Sequence, residues 1–367
     1  MKRIVISGIN IFEGGPLSVY RDFLNAIVEN DIHKNNEITI FVHKKELFKD
    51  YDGCFEIIEL PKSRKSYFNR CYYEYVYFHR YSKKEEIDCW ISIHDMTPNV
   101  VAKQVYTYCH NATPFFKATS FEWKFNKTVF FFSLLYKFLY RINIKKTTVI
   151  VQQQWMRAEF EKMYGIEGAI VAYPGINAPN KEEIEVSKSE EVTFIYASYP
   201  RTFKNFEGIL EACKQLNLEN LKYIVQITLS GNENKYSQYL YDKYKDVENV
   251  EWIGLQKREA LFACYAKSDC LIFPSKLETW GLPITEYKEY NKPIILSDLP
   301  YAHETLGDYN SAIFFNPNSV SELASAMKAI IEGNAQFLPA KKENIKEPFA
   351  ENWEQLVRII FKDGKFE

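Results

Sequence analysis

The chain has 367 residues, which is more than one typical hydrophobic core holds, so we expect two domains. Its 46% apolar and 26% charged residues are ordinary for a globular protein. The net charge of −2 excludes an overall basic field, and we predict no nucleic-acid partner. The seven cysteines are scattered without a CxxC pair, and MKRIVISG leads straight into a strand-like run. We therefore predict a reduced, cytoplasmic protein without a disulfide framework or a structural zinc site.

In the first half, short apolar or β-branched runs alternate with longer helical patterns. The predicted strands are Arg3–Ser7, Glu37–Val42, Phe55–Leu60, Asp88–Ile93, Gln104–Cys109, Thr148–Val151 and Ile170–Ala172. The predicted helices are Leu17–Glu29, Tyr67–Tyr81, Phe121–Arg141 and Gln153–Met163. Alternation of this kind predicts an α/β domain with a parallel, doubly wound sheet.

The same alternation restarts after a polar, highly charged stretch. The second set of strands is predicted at Thr193–Ala197, Lys222–Thr228, Val250–Ile253, Cys270–Phe273, Ile294–Leu296 and Ala312–Phe315, with helices at Phe206–Leu216, Arg258–Ala266, Pro283–Tyr290 and Val320–Glu332. A final amphipathic helix is predicted over Pro348–Lys362. We predict an N-terminal domain at residues 1–175, a linker at 176–190, a second domain at 191–345 and a terminal helix within 346–367.

The stretch FPSKLETWGLPITEYKEY, which follows the predicted strand Cys270–Phe273, carries Glu278 and Glu286 around a Gly-Leu-Pro turn. Ligands of open parallel sheets bind outside the carboxyl ends of the strands. A helix beginning near Pro283 would place Glu286 in its first turn and offer N–H donors to a phosphate. Two carboxylates could then accept hydrogen bonds from sugar hydroxyls. The spacing fits equally well a helix-stabilising charge at Glu286 and a solvated loop residue at Glu278.

Two places in the first half are further candidates. The loop after the first strand contains Gly14 and Gly15, which would let the backbone approach a phosphate or would simply ease a turn. His110 ends a predicted strand and could orient a donor sugar or an acceptor hydroxyl, and His94 is the second choice. A single histidine is more often a structural residue.

The motif FPSKLETWGLPITE resembles that of the retaining family-four glycosyltransferases. Other segments are similar to that family in order and in distance. VIVQQQWMRAEFEKMYG and VAYPGIN resemble the end of its first domain and its interdomain crossover, PIILSDLPYAHETLGDYNSAIFFNPNSVSELASAM the stretch after the second Glu, and FAENWEQLVRII its terminal helix. The resemblance covers nearly all of the C-terminal half and, more thinly, the N-terminal half. It implies the GT-B fold, in which two Rossmann-like domains with parallel sheets face each other and a C-terminal helix crosses back to the first, acceptor-side domain.

The resemblance also implies roles for individual residues. Glu286 would bind the ribose of a nucleotide-diphosphate sugar, and Glu278 would contact the transferred sugar. The further donor-site residues would be Arg201 and Lys204 at the diphosphate, the backbone of Thr279, Trp280, Gly281 and Leu282 near it, and Gly254 near the base. Arg201 and Lys204 lie closer together than the corresponding pair in many members. The donor site would be metal-independent, without a cofactor.

The resemblance thus implies a retaining hexosyl or deoxyhexosyl transferase that acts on a glycan acceptor in the biosynthesis of an O-antigen or capsule-like polysaccharide, and we expect this acceptor to be lipid-linked. The aromatic clusters Tyr67–Tyr81 and Phe116–Tyr140 are flanked by basic residues. They fit either core packing or a peripheral contact with the inner face of the cytoplasmic membrane. A sugar-nucleotide epimerase or hydrolase of similar fold, which needs no acceptor, and a catalytically silent glycan-binding protein are the alternatives.

Overall fold

The computed structural model describes residues 1–175, 191–341 and 344–363, so the predicted linker at 176–190 lies outside the described residues. Contacts between Cα atoms divide the chain into two compact units. The first unit consists of Met1–Phe115, Leu135–Gly175 and Asn344–Glu367, and the second of Phe116–Leu134 and Ile176–Glu343. The segment Phe116–Leu134 is thus grouped with the second unit, although it precedes the predicted boundary at residue 175.

The first unit is built on an eight-stranded parallel sheet, as counted over the described residues. Its strands are β1 (Lys2–Gly8), β2 (Asn36–Val42), β3 (Glu56–Glu59), β4 (Ile87–Ser92), β5 (Ala102–Cys109), β6 (Thr148–Val151), β7 (Ile170–Ala172) and, from the C-terminal segment, β14 (Phe349–Ala350). The order across the sheet is β14-β7-β6-β5-β4-β1-β2-β3. The seven strands predicted for this half are confirmed, within two residues at each end.

The helices up to residue 175 are α1 (Gly14–Glu29), α2 (Tyr67–Tyr72), α3 (Phe78–Glu85), α4 (Ser120–Phe125), α5 (Lys127–Arg141) and α6 (Gln154–Tyr164). Helix α4 and the part of α5 up to Leu134 are grouped with the second unit, and the other helices with the first. A π-helical turn at Tyr73–Tyr77 joins α2 to α3, which extends the predicted helix to Glu85. The single helix predicted over Phe121–Arg141 is wrong. It is interrupted at Asn126, which has the non-helical φ of −145° and accepts a hydrogen bond on its side chain from the N–H of Val129 at 3.2 Å.

The C-terminal segment packs in the first unit. The prediction of one helix from Pro348 was wrong at its start, because Phe349 and Ala350 pair in parallel with Val171 and Ala172 of β7. Helix α13 (Trp353–Arg358) follows, and a π-helical turn continues it to Asp363. The buried Trp353 ring lies 5.8 Å from that of Phe23 and 5.6 Å from that of Tyr108. The burial of these apolar side chains thus places the end of the chain in the first unit, as the family resemblance implied.

The second unit contains a six-stranded parallel sheet among the described residues, in the order β10-β9-β8-β11-β12-β13. These strands are β8 (Val192–Tyr196), β9 (Tyr223–Ile227), β10 (Val250–Trp252), β11 (Cys270–Phe273), β12 (Ile294–Ser297) and β13 (Ala312–Phe315). The helices are α7 (Phe206–Leu216), α8 (Lys235–Tyr244), α9 (Arg258–Lys267), α10 (Leu282–Lys288), α11 (Pro300–Leu306) and α12 (Val320–Ile331). Helices α8 and α11 are absent from the predicted elements. The α/β class with two parallel sheets is confirmed.

Candidate active site

Lys204 and Glu278 meet at the carboxyl edge of the second sheet. Strands β8 and β11 are neighbours, with Phe194 opposite Cys270. Lys204 lies in the short 3₁₀ turn Thr202–Lys204 after β8, and Glu278 lies in the loop after β11. Because parallel strands end at the same edge, the two loops come together there. The Lys204 ammonium donates a hydrogen bond to Glu278 Oε1, and the two side chains are only 15% and 12% exposed.

Several hydrogen bonds fix the loop that carries Lys204. The Tyr196 hydroxyl donates to the Lys204 carbonyl at 2.8 Å, and the Lys276 N–H donates to the Phe203 carbonyl at 2.8 Å. Asn205 has the left-handed φ of 57°, and its side-chain amide donates to the Pro274 carbonyl at 3.2 Å. The loops after β8 and β11 are therefore tied together by backbone and side-chain contacts, which holds the ammonium in place.

Two aromatic rings border the Lys204 ammonium, which lies 5.7 Å from the centre of the Phe203 ring and 5.8 Å from that of Phe273. A cation near the face of an aromatic ring is attracted to it, more strongly where water is excluded. The rings and the low exposure place the ion pair in a low-dielectric setting, where its electric field on a bound ligand is stronger than in water.

Glu286 lies in the second turn of α10, since it is the fifth residue of a helix that begins at Leu282. The predicted position in the first turn is therefore wrong. Glu286 Oε1 lies 3.7 Å from Arg258 Nη2, and the glutamate side chain is 14% exposed. Burial raises the pKa of Glu286, and the positive charge of Arg258 opposes that rise. Arg258, the first residue of α9, was not among the predicted site residues.

The turn between the two glutamates has a defined backbone. Gly281 has a φ of 92°, and a Cβ there would lie 3.0 Å from Ile284 Cδ1 and 3.3 Å from Phe273. This position therefore requires glycine. The Trp280 side chain is buried, and its indole N–H donates to Thr285 Oγ1 at 2.9 Å. The buried Trp280 side chain is thus occupied within the second unit, whereas Thr279 and Leu282, for which backbone contacts were predicted, are partly exposed.

Two further predicted residues of the second unit lie on neighbouring loops. Arg201 is exposed, with its guanidinium 6.0 Å from the centre of the Phe203 ring, close in sequence and space to Lys204. Gly254 follows β10 with a φ of 70°, and its N–H donates to the Leu229 carbonyl at 3.1 Å. The structure thus brings Lys204 and Glu278 into direct contact, whereas Arg201 and Gly254 contact neither glutamate through a hydrogen bond or ion pair within the described residues.

The remaining candidates belong to the first unit. Gly14 and Gly15 are the exposed first residues of α1, and Gly14 has a φ of 66°. His110 follows β5, and its Nε2 lies 2.8 Å from the Ile93 carbonyl. Burial lowers the pKa of His110, against the effect of the nearby Asp95 carboxylate. A neutral ring that donates from Nε2 leaves Nδ1 as an acceptor.

The second-choice histidine, His94, is an internal residue. It is 1% exposed, its Nδ1 lies 2.9 Å from the Ser7 carbonyl and its Nε2 contacts the Glu74 carboxylate. Both ring nitrogens therefore have protein partners, which identifies His94 as a structural residue of the first unit.

Within residues 1–175, 191–341 and 344–363, no group of three or more His, Cys, Asp and Glu residues is arranged to hold a metal ion. Over the same ranges, every helix is too short or too polar to span a lipid bilayer.

Comparisons with known proteins agree with this architecture. Residues 177–348 match the family described as "Glycosyl transferases group 1". The O-antigen chain mannosyltransferase RfbU of Salmonella typhimurium strain LT2 is 24% identical over 223 residues, which is 60% of this chain and 59% of that protein. The serotype-specific mannosyltransferase WbdA of Escherichia coli is 30% identical over 191 residues, 50% of this chain and 22% of that protein. The chain thus spans less than two thirds of either relative.

The crystal structure of a glycosyltransferase from Rickettsia africae ESF-5 superposes with a TM-score of 0.62, covering 90% of this chain and 88% of that one at 16% sequence identity. A structural similarity at such a low sequence identity establishes the fold alone. The chain therefore has the GT-B fold, and its residues 177–348 match the group 1 glycosyl transferases.

Proposed function

We propose that this chain is a retaining glycosyltransferase that transfers a hexosyl group from a nucleotide-diphosphate sugar to a glycan acceptor in O-antigen or capsule biosynthesis. The observation that carries the proposal is the shielded Lys204–Glu278 pair at the carboxyl ends of β8 and β11, within the segment that matches the group 1 glycosyl transferases. A cation and a carboxylate side by side suit a ligand that carries both phosphates and hydroxyls.

In this proposal, Lys204 stabilises the charge that collects on the leaving diphosphate. An ammonium has three N–H donors, so Lys204 can keep its bond to Glu278 and still donate to a phosphate oxygen. Fixed cations that face developing charge are among the strongest catalytic devices, because they need no reorganisation during the reaction. Arg201, on the same loop, would supply a second cation. We propose that these groups neutralise the diphosphate without a metal ion.

The two carboxylates would select the hydroxyls of the donor. Glu278 would accept from the transferred sugar, next to the ammonium that holds the diphosphate. Glu286 would accept from the ribose, and Arg258 at 3.7 Å would favour its ionised form. The backbone at Thr279–Leu282, between them in sequence, would lie near the phosphates. The roles predicted for His110, Gly14 and Gly15 of the first unit remain predictions.

We propose mannose as the transferred sugar, because both curated relatives described above are named mannosyltransferases. A thermal-shift screen of GDP-, UDP-, ADP- and TDP-sugars would identify the donor, since a ligand that binds only the folded state raises the melting temperature. The matched variant is Glu286→Ala, which should lose the shift. NMR of the glycosidic product would then show whether the anomeric configuration of the donor is kept. A product of inverted configuration would reject the retaining mechanism, and donor breakdown without acceptor would favour a hydrolase or epimerase.

The acceptor is proposed to be lipid-linked because helix α5 exposes an apolar face. Val129, Ser133, Tyr136 and Tyr140 are buried on one side of this helix. The opposite side carries apolar side chains that are 43–68% exposed, namely Phe131, Leu134, Leu135 and Phe138. The basic residues on this helix and just beyond it are Lys127, Lys137, Arg141, Lys145 and Lys146. Exposed aromatic residues with flanking cations suit the headgroup region of an anionic membrane.

The aromatic cluster Tyr67–Tyr81 left two interpretations open, core packing and a surface contact, and its residues are divided between them. Tyr73, Tyr77 and Tyr81 pack against the core of the first unit. Tyr67 and Phe68, by contrast, are 55% and 88% exposed. Core packing thus accounts for part of the aromatic excess, and the exposed remainder is available for a surface contact.

Flotation with lipid vesicles tests the membrane proposal. Wild-type protein should float with vesicles that contain phosphatidylglycerol and much less with pure phosphatidylcholine. The double variant Phe131→Ser/Phe138→Ser should lose this binding, whereas the control Phe337→Ser/Leu338→Ser, which removes two other exposed apolar side chains, should retain it. Equal flotation of the two double variants would reject α5 as the contact surface.

A further inference from the structure

A basic pocket lies at the carboxyl edge of the first sheet, apart from the residues assigned to the donor. It has a volume of about 430 Å³. Asn10 and Phe12 come from the loop after β1, while Arg64, Lys65 and Arg70 come from the segment that follows β3 and enters α2. Loops at this edge of a parallel sheet are the usual location of ligand sites.

Three cations line the basic pocket. Arg64 is exposed, and its guanidinium lies 3.1 Å from the centre of the Phe12 ring, which orients it. Lys65 is exposed beside it. Arg70 is only 6% exposed, and it donates to the Tyr136 hydroxyl at 3.1 Å and to the His94 carbonyl at 2.6 Å. The pocket therefore combines one buried guanidinium, held by two hydrogen bonds, with two exposed cations.

Two buried polar atoms of the pocket residues lack a protein partner. They are Arg70 Nε and Asn10 Oδ1, each without a hydrogen bond to any described residue. Burying an unsatisfied polar group costs free energy, so such atoms are rare and often mark functional positions. Of these two atoms only Arg70 Nε is a donor that suits an anion, and it belongs to a group that is charged at all relevant pH values; Asn10 Oδ1 is an acceptor.

The acids near these cations lie outside the pocket lining. None of the described residues that line it is an aspartate or glutamate. Glu13 acts on Arg64, and Glu74 and Asp95 act on Arg70, from outside the lining. Glu74 is also bonded to His94. A neutral sugar would be recognised by carboxylates and amides, whereas guanidinium groups match the oxygens of a phosphate.

We propose that the basic pocket binds a phosphate group of the acceptor, with Arg64, Lys65 and Arg70 as its ligands. That the phosphate belongs to the acceptor rests on the proposed transferase function. The phosphate would come from a lipid diphosphate that carries the growing glycan or from a soluble sugar phosphate. In this proposal the first unit binds the anionic end of the acceptor, and Lys204 binds the donor diphosphate.

Calorimetry with farnesyl diphosphate, farnesol and inorganic diphosphate tests the proposal, in the presence of excess GDP and UDP to fill the donor site. Farnesyl diphosphate should bind the wild type and farnesol should not. The exposed double variant Arg64→Ala/Lys65→Ala should bind farnesyl diphosphate about tenfold or more weakly, because charged hydrogen bonds are lost. The control Lys83→Ala/Lys84→Ala removes two adjacent exposed lysines of α3 and should bind like the wild type. Arg64→Lys should retain most of the affinity.

The arms of this experiment separate the two sources of phosphate. If inorganic diphosphate binds as tightly as farnesyl diphosphate and is weakened equally by the double variant, a soluble phosphate is recognised. If only farnesyl diphosphate binds tightly, a lipid diphosphate is recognised. Equal affinities of the two double variants, or binding of farnesol as tight as that of its diphosphate, would overturn the proposal.

Nucleotide binding, measured separately on the same variants, should be unchanged. If the protein transfers sugar but the double variant Arg64→Ala/Lys65→Ala binds farnesyl diphosphate like the wild type, the phosphate site is rejected and the transferase function is retained. Charge-dependent binding in a protein that transfers no sugar would refute the function instead.

Discussion

Replacing Lys204 by alanine should both destabilise the second unit and slow the proposed transfer. The ammonium and the Glu278 carboxylate are 15% and 12% exposed, so water screens the pair only weakly. Removing one partner of a fully buried ion pair costs about 3–5 kcal/mol, because the other charge is left uncompensated. Partial exposure reduces this, and we expect a loss of about 2–3 kcal/mol. That corresponds to a fall in melting temperature of about 4–12 °C for a unit of this size.

The kinetic effect should fall on kcat at saturating donor, since charge on the leaving diphosphate grows toward the transition state. Removing one such electrostatic donor typically lowers kcat by about 10²–10³-fold. Turnover would be measured well below the melting temperature, with circular dichroism as a check of folding. The control is Lys276→Ala, in the loop after β11, whose backbone bond to Phe203 survives the change.

The double variant Lys204→Ala/Glu278→Gln separates the two effects. With no charge left at position 278, it should recover part of the lost stability but none of the lost kcat. A Lys204→Ala protein with kcat within about twofold of the wild type would remove Lys204 from the transition state. A melting temperature equal to that of the wild type would show that the ion pair does not stabilise the unit.

Four further outcomes are expected. Glu286→Ala should weaken nucleoside diphosphate binding at least about tenfold by calorimetry, because charged hydrogen bonds are worth about 1.5–3 kcal/mol; unchanged affinity would exclude the ribose role. Burial raises the pKa of Glu286, so the folded state binds more protons than the unfolded state and this residue's contribution to stability falls as pH rises above about 4.3. Glu286→Gln should therefore flatten that fall and melt no lower than the wild type at neutral pH, and a lower melting temperature would show that the contact with Arg258 dominates. Treatment with EDTA should leave transfer intact, whereas loss that magnesium or manganese restores would contradict the metal-independent proposal. Trp353→Ala should cost about 3–5 kcal/mol in chemical denaturation of the first unit, and a loss below about 1 kcal/mol would show that the C-terminal helix packs without it.

The parallel strands were predictable because strands covered on both faces form continuous apolar runs. Cys270–Phe273 is an example, since all four residues are buried. Helix α8 was missed for the opposite reason. Its buried positions include Tyr236 and Tyr244, whose rings are apolar but whose hydroxyls make the segment look like a polar loop. The available signal was Asn234, which caps this helix by accepting hydrogen bonds from the N–H groups of its first turn.

The end of the chain shows a limit of helical periodicity. Phe349 fits the same apolar pattern as Trp353 and Leu356, yet it pairs as a strand with Val171. A two-residue strand has too little local signal to be distinguished from the start of a helix. Its conformation is decided by the distant strand β7, whose outer backbone groups would be unpaired without it.

The sequence singled out Glu278, Glu286 and Lys204 as candidates, but it did not reveal their pairings, and Arg258 was missed. Glu278 and Glu286 stand out in one local motif, whereas the partner of each is supplied from elsewhere in the second unit. Arg258 offers no local sign of its role, because its distance to Glu286 depends on how α9 packs near α10. Likewise, Lys204 meets Glu278 only because β8 lies next to β11, and strand order is a property of the whole sheet.

Because each glutamate has a charged partner in the protein, substituting a glutamate also affects that partner. Removing Glu278 would take away a proposed sugar contact and would also leave Lys204 as a shielded cation without its carboxylate. The loss of activity in Glu278→Gln is therefore expected to combine a ligand effect with a positioning effect on the ammonium. Substitutions of residues in direct contact are not additive, and the difference between the double variant and the two single variants measures their coupling. A coupling larger in kcat than in stability would mean that Glu278 acts in transfer mainly by holding Lys204 toward the leaving group.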